Sequence, residues 1–390
     1  MKNLTQILLY INFFFLQSYL IRFSLGSYPT NLQEILIGIA ALSCFAWTIK
    51  EGRLLKSIRE LKKYWVIWGF VGLSIFTIAT NQIINNLDLI RHLKFLFFAI
   101  ALVLMFFEVF RTKEEKIKAF EIAGKGALVF GIFSAVYNLM GYNITHDFRL
   151  LGPLDSAVYL AFYLTPFMLF FLFRCTRDHK KQYLIYAILL AILIAFTRSM
   201  GAIGGSFATI AIYFFTQQRF KTKTPKYLII TGAILISALI FYTKILPTIQ
   251  TNYSSLDERG EIWQVSTQLL KENLVTGLGL GQFQSHYAAN AQEILNRPPL
   301  DLIVLQPHNI FLLFYFQFGF PGLIFLLYLI YTGIKKTSHP STTLFIALYF
   351  LIHGLIDTPL FKNDLMILFI LILTLALNKD PKEQNTDHPL

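Results

Sequence analysis

The sequence predicts an all-α, polytopic integral membrane protein, and three observations carry this prediction. The 390 residues are 55% hydrophobic and only 14% charged, whereas soluble domains are about a quarter charged. The mean hydropathy is +0.56. Apolar runs long enough to cross a bilayer recur along the chain, and one long polar segment interrupts them. We therefore expect about 12 transmembrane helices and one large extramembrane loop that contains short helices.

The predicted spans divide the chain into four parts. Spans one to nine occupy residues 1–243, the large loop covers residues 244–308, spans ten to twelve occupy residues 309–378, and a polar tail covers residues 379–390. The spans centre near Phe13, Ala41, Leu73, Ala101, Phe133, Thr165, Leu190, Ile210, Leu235, Phe320, Tyr349 and Ile370. Gly319 and Pro321 lie inside the tenth span and predict a break or kink there.

Basic residues fix the orientation of these spans. Lys and Arg cluster in alternate connections, for example over residues 50–63 and 111–118, and the positive-inside rule makes that side cytoplasmic. Both termini are then cytoplasmic, and Lys362 is a lone exception on the outer side. The net charge of +12 therefore reflects the sidedness of the loops and does not indicate a nucleic-acid partner.

A small set of arginines lies on the outer side against this rule. The set is Arg22, Arg91, Arg149, Arg198, Arg259 and Arg297. Such side chains either contact lipid headgroups or form a convergent anion site, because guanidinium groups match phosphate oxygens. We prefer headgroup contact for Arg22 and Arg297, and both interpretations stay open for Arg149 and Arg259.

The large loop is predicted to contain a charged helix. Ser255-x-x-Glu258 is typical of a capping box that opens a helix. Arg259 and Trp263 share one face of this helix, since they are four residues apart. Its apolar stripe consists of Ile262, Val265 and Leu269. The helix is expected to end near Asn273.

A glycine-rich turn follows this helix. Gly277, Gly279 and Gly281 superficially resemble a nucleotide-binding loop, but they follow a helix instead of a strand and lack the Gly-Lys-Ser ending. We expect a backbone turn beside the membrane surface, with amides that bind phosphate as a minor alternative. A second helix is expected from about residue 282 to residue 295.

Residues near the outer ends of the last spans are candidates for acid–base chemistry. His308 follows Pro307 at the mouth of the tenth span, where a neutral imidazole either takes a proton from a hydroxyl group or is satisfied by headgroups. His353 and Asp357 lie one turn apart and form either an orienting pair beneath the site or a satisfied polar patch, which we prefer. The sequence has no metal-site or serine-hydrolase motif, and its two cysteines indicate neither a disulfide nor a metal site.

Several of these residues together resemble the bacterial O-antigen ligases and related polymerases. That family carries His-(Asn/Ser/Gln)-x9-Gly-x-x-(Gly/Thr/Tyr) at the exit of its large periplasmic loop. Here His308-Asn309, nine residues and Gly319-Phe320-Pro321-Gly322 match the motif in full. Three other segments are similar to family elements: Arg259-x-x-x-Trp263, the turn from Gly277 to Phe283, and Arg149-Leu150-Leu151-Gly152-Pro153.

One segment departs from the family pattern. The family commonly has Ser/Thr-Arg-Gly/Ala between the seventh and eighth spans, and its arginine contacts substrate phosphate. This chain has Ser199-Met200-Gly201 there, with Arg198 two residues before the methionine. Either Arg198 reaches the same phosphate or this arginine role is weakened.

The resemblance implies a metal-independent and cofactor-free glycosyl transfer on the periplasmic face of the bacterial inner membrane. The donor would be a glycan on undecaprenyl diphosphate, and the acceptor a sugar hydroxyl of the lipid A-core. His308 and Arg259 would be catalytic, with His308 activating the hydroxyl and Arg259 stabilising the departing diphosphate. The expected substrate-binding residues are Arg198, Arg149, Asn309, Trp263 and Gly279.

Two alternative functions remain open. A polymerase of the same family would use another lipid-linked repeat as its acceptor, and the sequence separates it poorly from a ligase. A transporter or flippase of lipid-linked sugars ranks third, because the chain shows no repeat symmetry between its halves.

Overall fold

The computed structural model describes residues 1–26, 28–145, 148–216, 255–336 and 341–377, which are mainly helical. The helices before the large loop are α1 (Lys2–Phe14), α2 (Leu32–Lys50), α3 (Leu54–Glu60), α4 (Trp65–Thr80), α5 (Asn86–Val109), α6 (Lys113–Leu139), α7 (Ala157–Asp178), α8 (Lys181–Thr197) and α9 (Met200–Thr216). Those that follow are α10 (Ser255–Glu272), α11 (Phe283–Leu295), α12 (Ile310–Lys335), α13 (Thr342–His353) and α14 (Asn363–Leu377).

The helices agree with the predicted spans in position more closely than in length. Eleven of the twelve predicted centres fall inside these helices, and the ninth, near Leu235, lies outside the described residues. Five helices, α2, α5, α6, α7 and α12, are long and apolar enough to cross a membrane. A sixth span results if α4 and the segment before it, bent by 82° to each other, count as one. The count of twelve, the loop at residues 244–308 and the tail at residues 379–390 stay predictions.

A short β-hairpin departs from the all-α prediction. Strands β1 (Arg22–Leu25) and β2 (Tyr28–Asn31) pair in antiparallel fashion just after α1, with Arg22 opposite Asn31. The hairpin ends where Asn31 caps α2, because its side chain accepts a hydrogen bond from the Glu34 amide at 3.0 Å. Four-residue strands are too short to give a clear alternating pattern, so the sequence did not reveal them.

Helix α14 is the centre of the bundle. Every residue from Asp364 to Thr374 is buried, as expected for a helix that is apolar all round. It contacts α4, α5, α7, α12 and α13. Its first residues and the segment before it, residues 354–362, therefore hold a fixed position at one end of the bundle.

Helix α12 is kinked where the sequence predicts it. Gly319 has φ 66° and ψ −162°, a conformation outside the helical region, and Pro321 follows it. The Phe320 amide bonds the Val275 carbonyl at 2.9 Å, so the loop supplies a partner for backbone that the kink releases. The residues around the kink thus form part of the surface against which the loop packs.

The loop has a small core of its own. Helix α10 begins at Ser255 as predicted, and its stripe of Ile262, Val265 and Leu269 is buried. These side chains form a cluster with residues of α11 and with Phe316 of α12. Helix α11 begins at Phe283, one residue after the predicted start, and ends at Leu295. Arg259 and Trp263 lie beside this stripe on α10 and form hydrogen bonds with Asp357 and with the Pro307 carbonyl.

Candidate functional site

Asn309 sets the start of α12 and with it the position of the preceding histidine. Its side chain accepts hydrogen bonds from the amides of Phe311 and Leu312, at 2.9 and 3.3 Å. The same side chain donates to the Leu355 carbonyl at 3.2 Å. Asn309 therefore caps the helix and ties it to the segment that follows α13. A substrate contact for Asn309, which the sequence predicts, stays a prediction.

His308 adopts a left-handed backbone conformation, with φ 50°. Such a conformation is uncommon for a residue with a side chain and persists where neighbours hold it in place. Two contacts do so here: the indole of Trp263 donates to the Pro307 carbonyl at 3.0 Å, and the Ile310 amide donates to the Gly354 carbonyl at 2.6 Å. The backbone is thus fixed on both sides of the imidazole.

Asp357 joins the two residues that the sequence predicts to be catalytic. One carboxylate oxygen lies 2.6 Å from Nδ1 of His308, and the other lies 2.8 Å from Nη2 of Arg259. The Asp357 side chain is only 5% exposed, whereas that of His308 is 36% exposed. His308, Arg259 and Asp357, which we call the His–Asp–Arg cluster, therefore combine a buried acid with an imidazole that solvent can reach.

The charge of Asp357 decides the tautomer of His308. Burial raises the pKa of the Asp357 carboxyl, but the hydrogen bond from His308 and the charge of Arg259 outweigh it and hold this pKa below its ordinary range. An ionised carboxylate only accepts hydrogen bonds, so Nδ1 of His308 carries the proton. Nε2 is then the basic atom of the neutral ring.

His353 and Asp357 have different contacts, so the preferred interpretation, a satisfied polar patch, does not describe the two residues together. Asp357 contacts His308 and Arg259, as the alternative of an orienting group requires. His353 is fully buried and bonds the Tyr349 hydroxyl through Nδ1 at 2.7 Å. The signal for Asp357 was present in the sequence, because a lone acid at the end of an apolar span is costly unless it has a partner.

Arg149 and Arg198 lie together at the junction of α8 and α9. Arg149 donates from Nε to the Thr197 carbonyl at 3.0 Å, and the Leu150 amide donates to the Phe196 carbonyl at 3.0 Å. Arg198 ends α8 with φ 52°. Met200, at the position where the family has arginine, is the first residue of α9 and is 41% exposed. We call residues 149–150 and 196–201 the arginine junction.

The glycine-rich turn packs against the kink of α12. The amides of Leu278 and Gly279 both donate to the Phe316 carbonyl, and the Gly281 amide donates to the Gln317 side chain at 2.7 Å. Gly277, Gly279 and Gly281 all have positive φ, which explains why glycine occupies them. The hydrogen bonds of this turn given above go to α12 and not to the His–Asp–Arg cluster. Substrate binding by Gly279 stays a prediction.

Other charged residues on this side have local partners. Arg297 pairs with Glu261 across the loop, whereas the sequence favoured a headgroup contact for this side chain. Lys362 lies 3.2 Å from Asp155 and over the ring of Tyr159. No group of three or more His, Cys, Asp and Glu side chains with the placement of a metal site occurs among the residues that the structure describes.

These features define an integral membrane protein with a His–Asp–Arg cluster where the segment that carries α10 and α11 meets the other helices. A sequence model of the O-antigen ligase family matches residues 185–327. The chain thus carries an O-antigen ligase domain over those residues, and the resemblance seen in its motifs is confirmed. The matched range contains Arg198, Arg259, Trp263, Gly279, His308 and Asn309, whereas Arg149 and Asp357 lie outside it. No curated protein matches the chain.

Proposed function

We propose that this protein is an O-antigen ligase, a membrane glycosyltransferase that moves a glycan from undecaprenyl diphosphate to a sugar hydroxyl of the lipid A-core. The observation that carries the proposal is the contact of Asp357 with both His308 and Arg259, at 2.6 and 2.8 Å. This contact supports the proposal because it joins His308 and Arg259, which match the family's motifs, to the same carboxylate. We assign the reaction to the periplasmic face of the inner membrane, with both termini cytoplasmic.

His308 serves as the general base in this proposal. Nε2 takes the proton of the acceptor hydroxyl while the hydroxyl oxygen forms a bond to the anomeric carbon of the donor glycan. The bond between that carbon and the diphosphate oxygen breaks, and the diphosphate leaves with the bonding electrons. Asp357 fixes the ring orientation and stabilises the imidazolium that forms. No covalent intermediate is needed, because the leaving group is already a good one.

Arg259 supplies positive charge where the diphosphate departs. Its side chain is 17% exposed and is held by Asp357, so its position is fixed before the substrate binds, which favours stabilisation of developing charge. Arg149 and Arg198, at the arginine junction, are proposed to bind the diphosphate as well. Trp263 and Asn309 hold the segment that carries His308, and both are included in the proposed substrate-binding set. Gly279 stays in that set as a sequence prediction.

The direct test replaces the base. His308→Ala, expressed in a strain that lacks the native gene, should reach the membrane at the normal level and transfer no O-chain to the lipid A-core. His286→Ala is the matched control, because His286 belongs to the same loop and has no contact with the cluster; it should restore transfer. Full activity of His308→Ala would refute the role of this residue as the base.

The deletion strain itself separates ligase from polymerase. A ligase predicts that the lipopolysaccharide loses every O-chain while the lipid-linked polymer accumulates. A polymerase predicts a core that carries a single repeat. Electrophoresis of lipopolysaccharide, together with analysis of the lipid-linked glycans, distinguishes these outcomes.

A further inference from the structure

The first turn of α9 lies directly on the buried imidazole of His353. A Cβ atom at Gly201 would lie 2.6 Å from Cδ2 and 2.7 Å from Nε2 of that ring. Nε2 is buried and has no hydrogen-bond partner among the described residues. Only glycine therefore fits at position 201 without displacing the imidazole or the helix.

His353 is firmly attached to the side of the site that carries Asp357. Its carbonyl accepts hydrogen bonds from the amides of Ile356 and Asp357, both at 3.0 Å. Its Nδ1 bonds the Tyr349 hydroxyl, and its ring packs on Phe162 with 4.6 Å between ring centroids. The imidazole is therefore held in place beside Asp357, so a Cβ atom at Gly201 would displace the start of α9 instead of the carboxylate.

Gly201 is attached to the other side of the site. It lies three residues after Arg198, and the backbone before Arg198 is bonded to Arg149 and Leu150. Both arginines of the junction are thus linked to the start of α9 by a short run of backbone. The contact between Gly201 and His353 is the point where this unit meets the segment that carries Asp357.

We propose that His353 is a positioning residue that sets, through Gly201, the separation between the arginine junction and the His–Asp–Arg cluster. The inference rests on the proposed function, since it assumes that the junction binds the donor diphosphate. Packing alone does not account for a histidine here, because an unpartnered ring nitrogen in the interior is unfavourable and an apolar side chain would avoid it. Nδ1 of the imidazole is hydrogen-bonded to the Tyr349 hydroxyl, and Cδ2 and Nε2 of the ring face Gly201.

Gly201→Ala tests this inference, and the chain offers a matched control. Gly204 lies on the same helix, and a Cβ there would meet no atom within 4 Å. In purified protein with a lipid-diphosphate glycan and lipid A-core, we expect Gly201→Ala to raise the donor KM about tenfold and to change kcat by less than about twofold. Gly204→Ala should keep the wild-type constants.

A double variant shows whether the contact itself is responsible. His353→Ala removes the atoms that the new Cβ would meet, so Gly201→Ala/His353→Ala should bring the donor KM to within about threefold of wild type. His353→Ala alone should raise the donor KM, because α9 loses its support. Fold changes of the two single variants that simply multiply in the double variant would overturn direct coupling.

The other outcomes are equally decisive. Donor KM values that are the same for Gly201→Ala and Gly204→Ala refute the inference, as does a lower kcat and lower thermal stability with an unchanged donor KM. If Gly201→Ala does not fold, His353→Ala decides through its donor KM, and an unchanged value refutes the inference. A wild-type protein that transfers no glycan would instead refute the proposed function.

Discussion

The His–Asp–Arg cluster and the glycine-rich turn both draw on the same loop, and they use polar groups in opposite ways. In the cluster, Asp357 is buried and bonds two other side chains, of which His308 remains 36% exposed. In the turn, the backbone amides of Leu278, Gly279 and Gly281 donate to α12. The cluster therefore presents a reactive group to solvent, whereas the turn satisfies the backbone of the protein itself.

This difference separates two kinds of sequence motif. A glycine motif records a backbone requirement, here the positive φ angles and the close approach of Gly277 to α12. A motif of histidine and arginine records chemistry, provided that the structure brings the side chains together. Resemblance to a family gives equal weight to both kinds, and only the contacts distinguish them.

Replacement of Asp357 should have the largest effect. In Asp357→Asn the side chain keeps its size but cannot stabilise the imidazolium or fix the Nδ1–H tautomer of His308. We expect kcat to fall about a thousandfold with the folded state retained. Transfer assays on purified protein measure this loss.

Asp155→Asn is the matched control for that variant. Asp155 is a carboxylate that is 75% exposed and pairs with Lys362. Its loss should leave kcat near the wild-type value. An Asp357→Asn variant that retains kcat within about threefold would remove Asp357 from the proposed mechanism.

The elements of the cluster were predictable from the sequence to different degrees. His308 belongs to a fairly specific local motif, whereas the arginine elements are specific only in combination. The spacing of Arg259 and Trp263 placed them on one helical face. Asp357 is separated from His308 by 49 residues, and its partner depends on how α12 and α13 pack. Local pattern cannot supply that pairing, so the polar patch was preferred to the orienting pair until the contacts were known.

Arg259→Lys should have the next largest effect. The guanidinium contacts Asp357 through Nη2 at 2.8 Å and can direct other N–H groups elsewhere, which a single ammonium cannot reproduce. We expect kcat/KM for the donor to fall about a hundredfold. Arg297→Lys, in the same loop and paired with Glu261, should behave as wild type in the same assay. Equal values for the two variants would contradict a special role for Arg259.

Gly277→Ala tests the other side of the comparison. Gly277 has φ 70°, and a Cβ there would lie 2.4 Å from the Tyr315 carbonyl oxygen. We expect a loss of about 2 kcal/mol or more in the free energy of unfolding. The kcat of the folded fraction should not change, because no group of the cluster is altered. Thermal unfolding measures the stability, and kinetics corrected for the folded fraction measure kcat.

Gly260→Ala is the control for that change. A Cβ at Gly260 would meet no atom within 4 Å in the middle of α10, so alanine should stabilise the helix by up to about 1 kcal/mol. A loss of kcat in folded Gly277→Ala, without a comparable loss in Gly260→Ala, would indicate that the turn contacts substrate after all.

The fold was predictable where long-range packing was not required. Eleven predicted span centres fall inside helices because apolar runs determine where helices form. Helix length was less predictable: α13 has 12 residues and α14 has 15, since residues 354–362 leave the helix to form part of the site. The contact of Gly201 with His353 joins distant segments and had no counterpart in any local pattern.

The smallest expected effect is a pH dependence of stability that Asp357 controls. Burial raises the pKa of this carboxyl while His308 and Arg259 lower it, and the lowering prevails. The pKa of Asp357 is lower in the folded protein than in the unfolded chain. Ionised Asp357 therefore stabilises the fold at pH values above the ordinary aspartate pKa of about 3.9. This contribution disappears as the pH falls through the lowered pKa. The opposing causes leave only their difference, so the effect should be modest.

Thermal unfolding of the detergent-solubilised protein measures this dependence. The midpoint temperature of the wild type should fall more steeply below pH 4 than that of Asp357→Asn, since the variant has no carboxylate to protonate at this position. Other acidic groups are common to both proteins, so the difference between the two curves isolates Asp357. Parallel curves would mean that the folded and unfolded states hold this proton equally well, and His308 and Arg259 would then give Asp357 no net stabilisation in its ionised form.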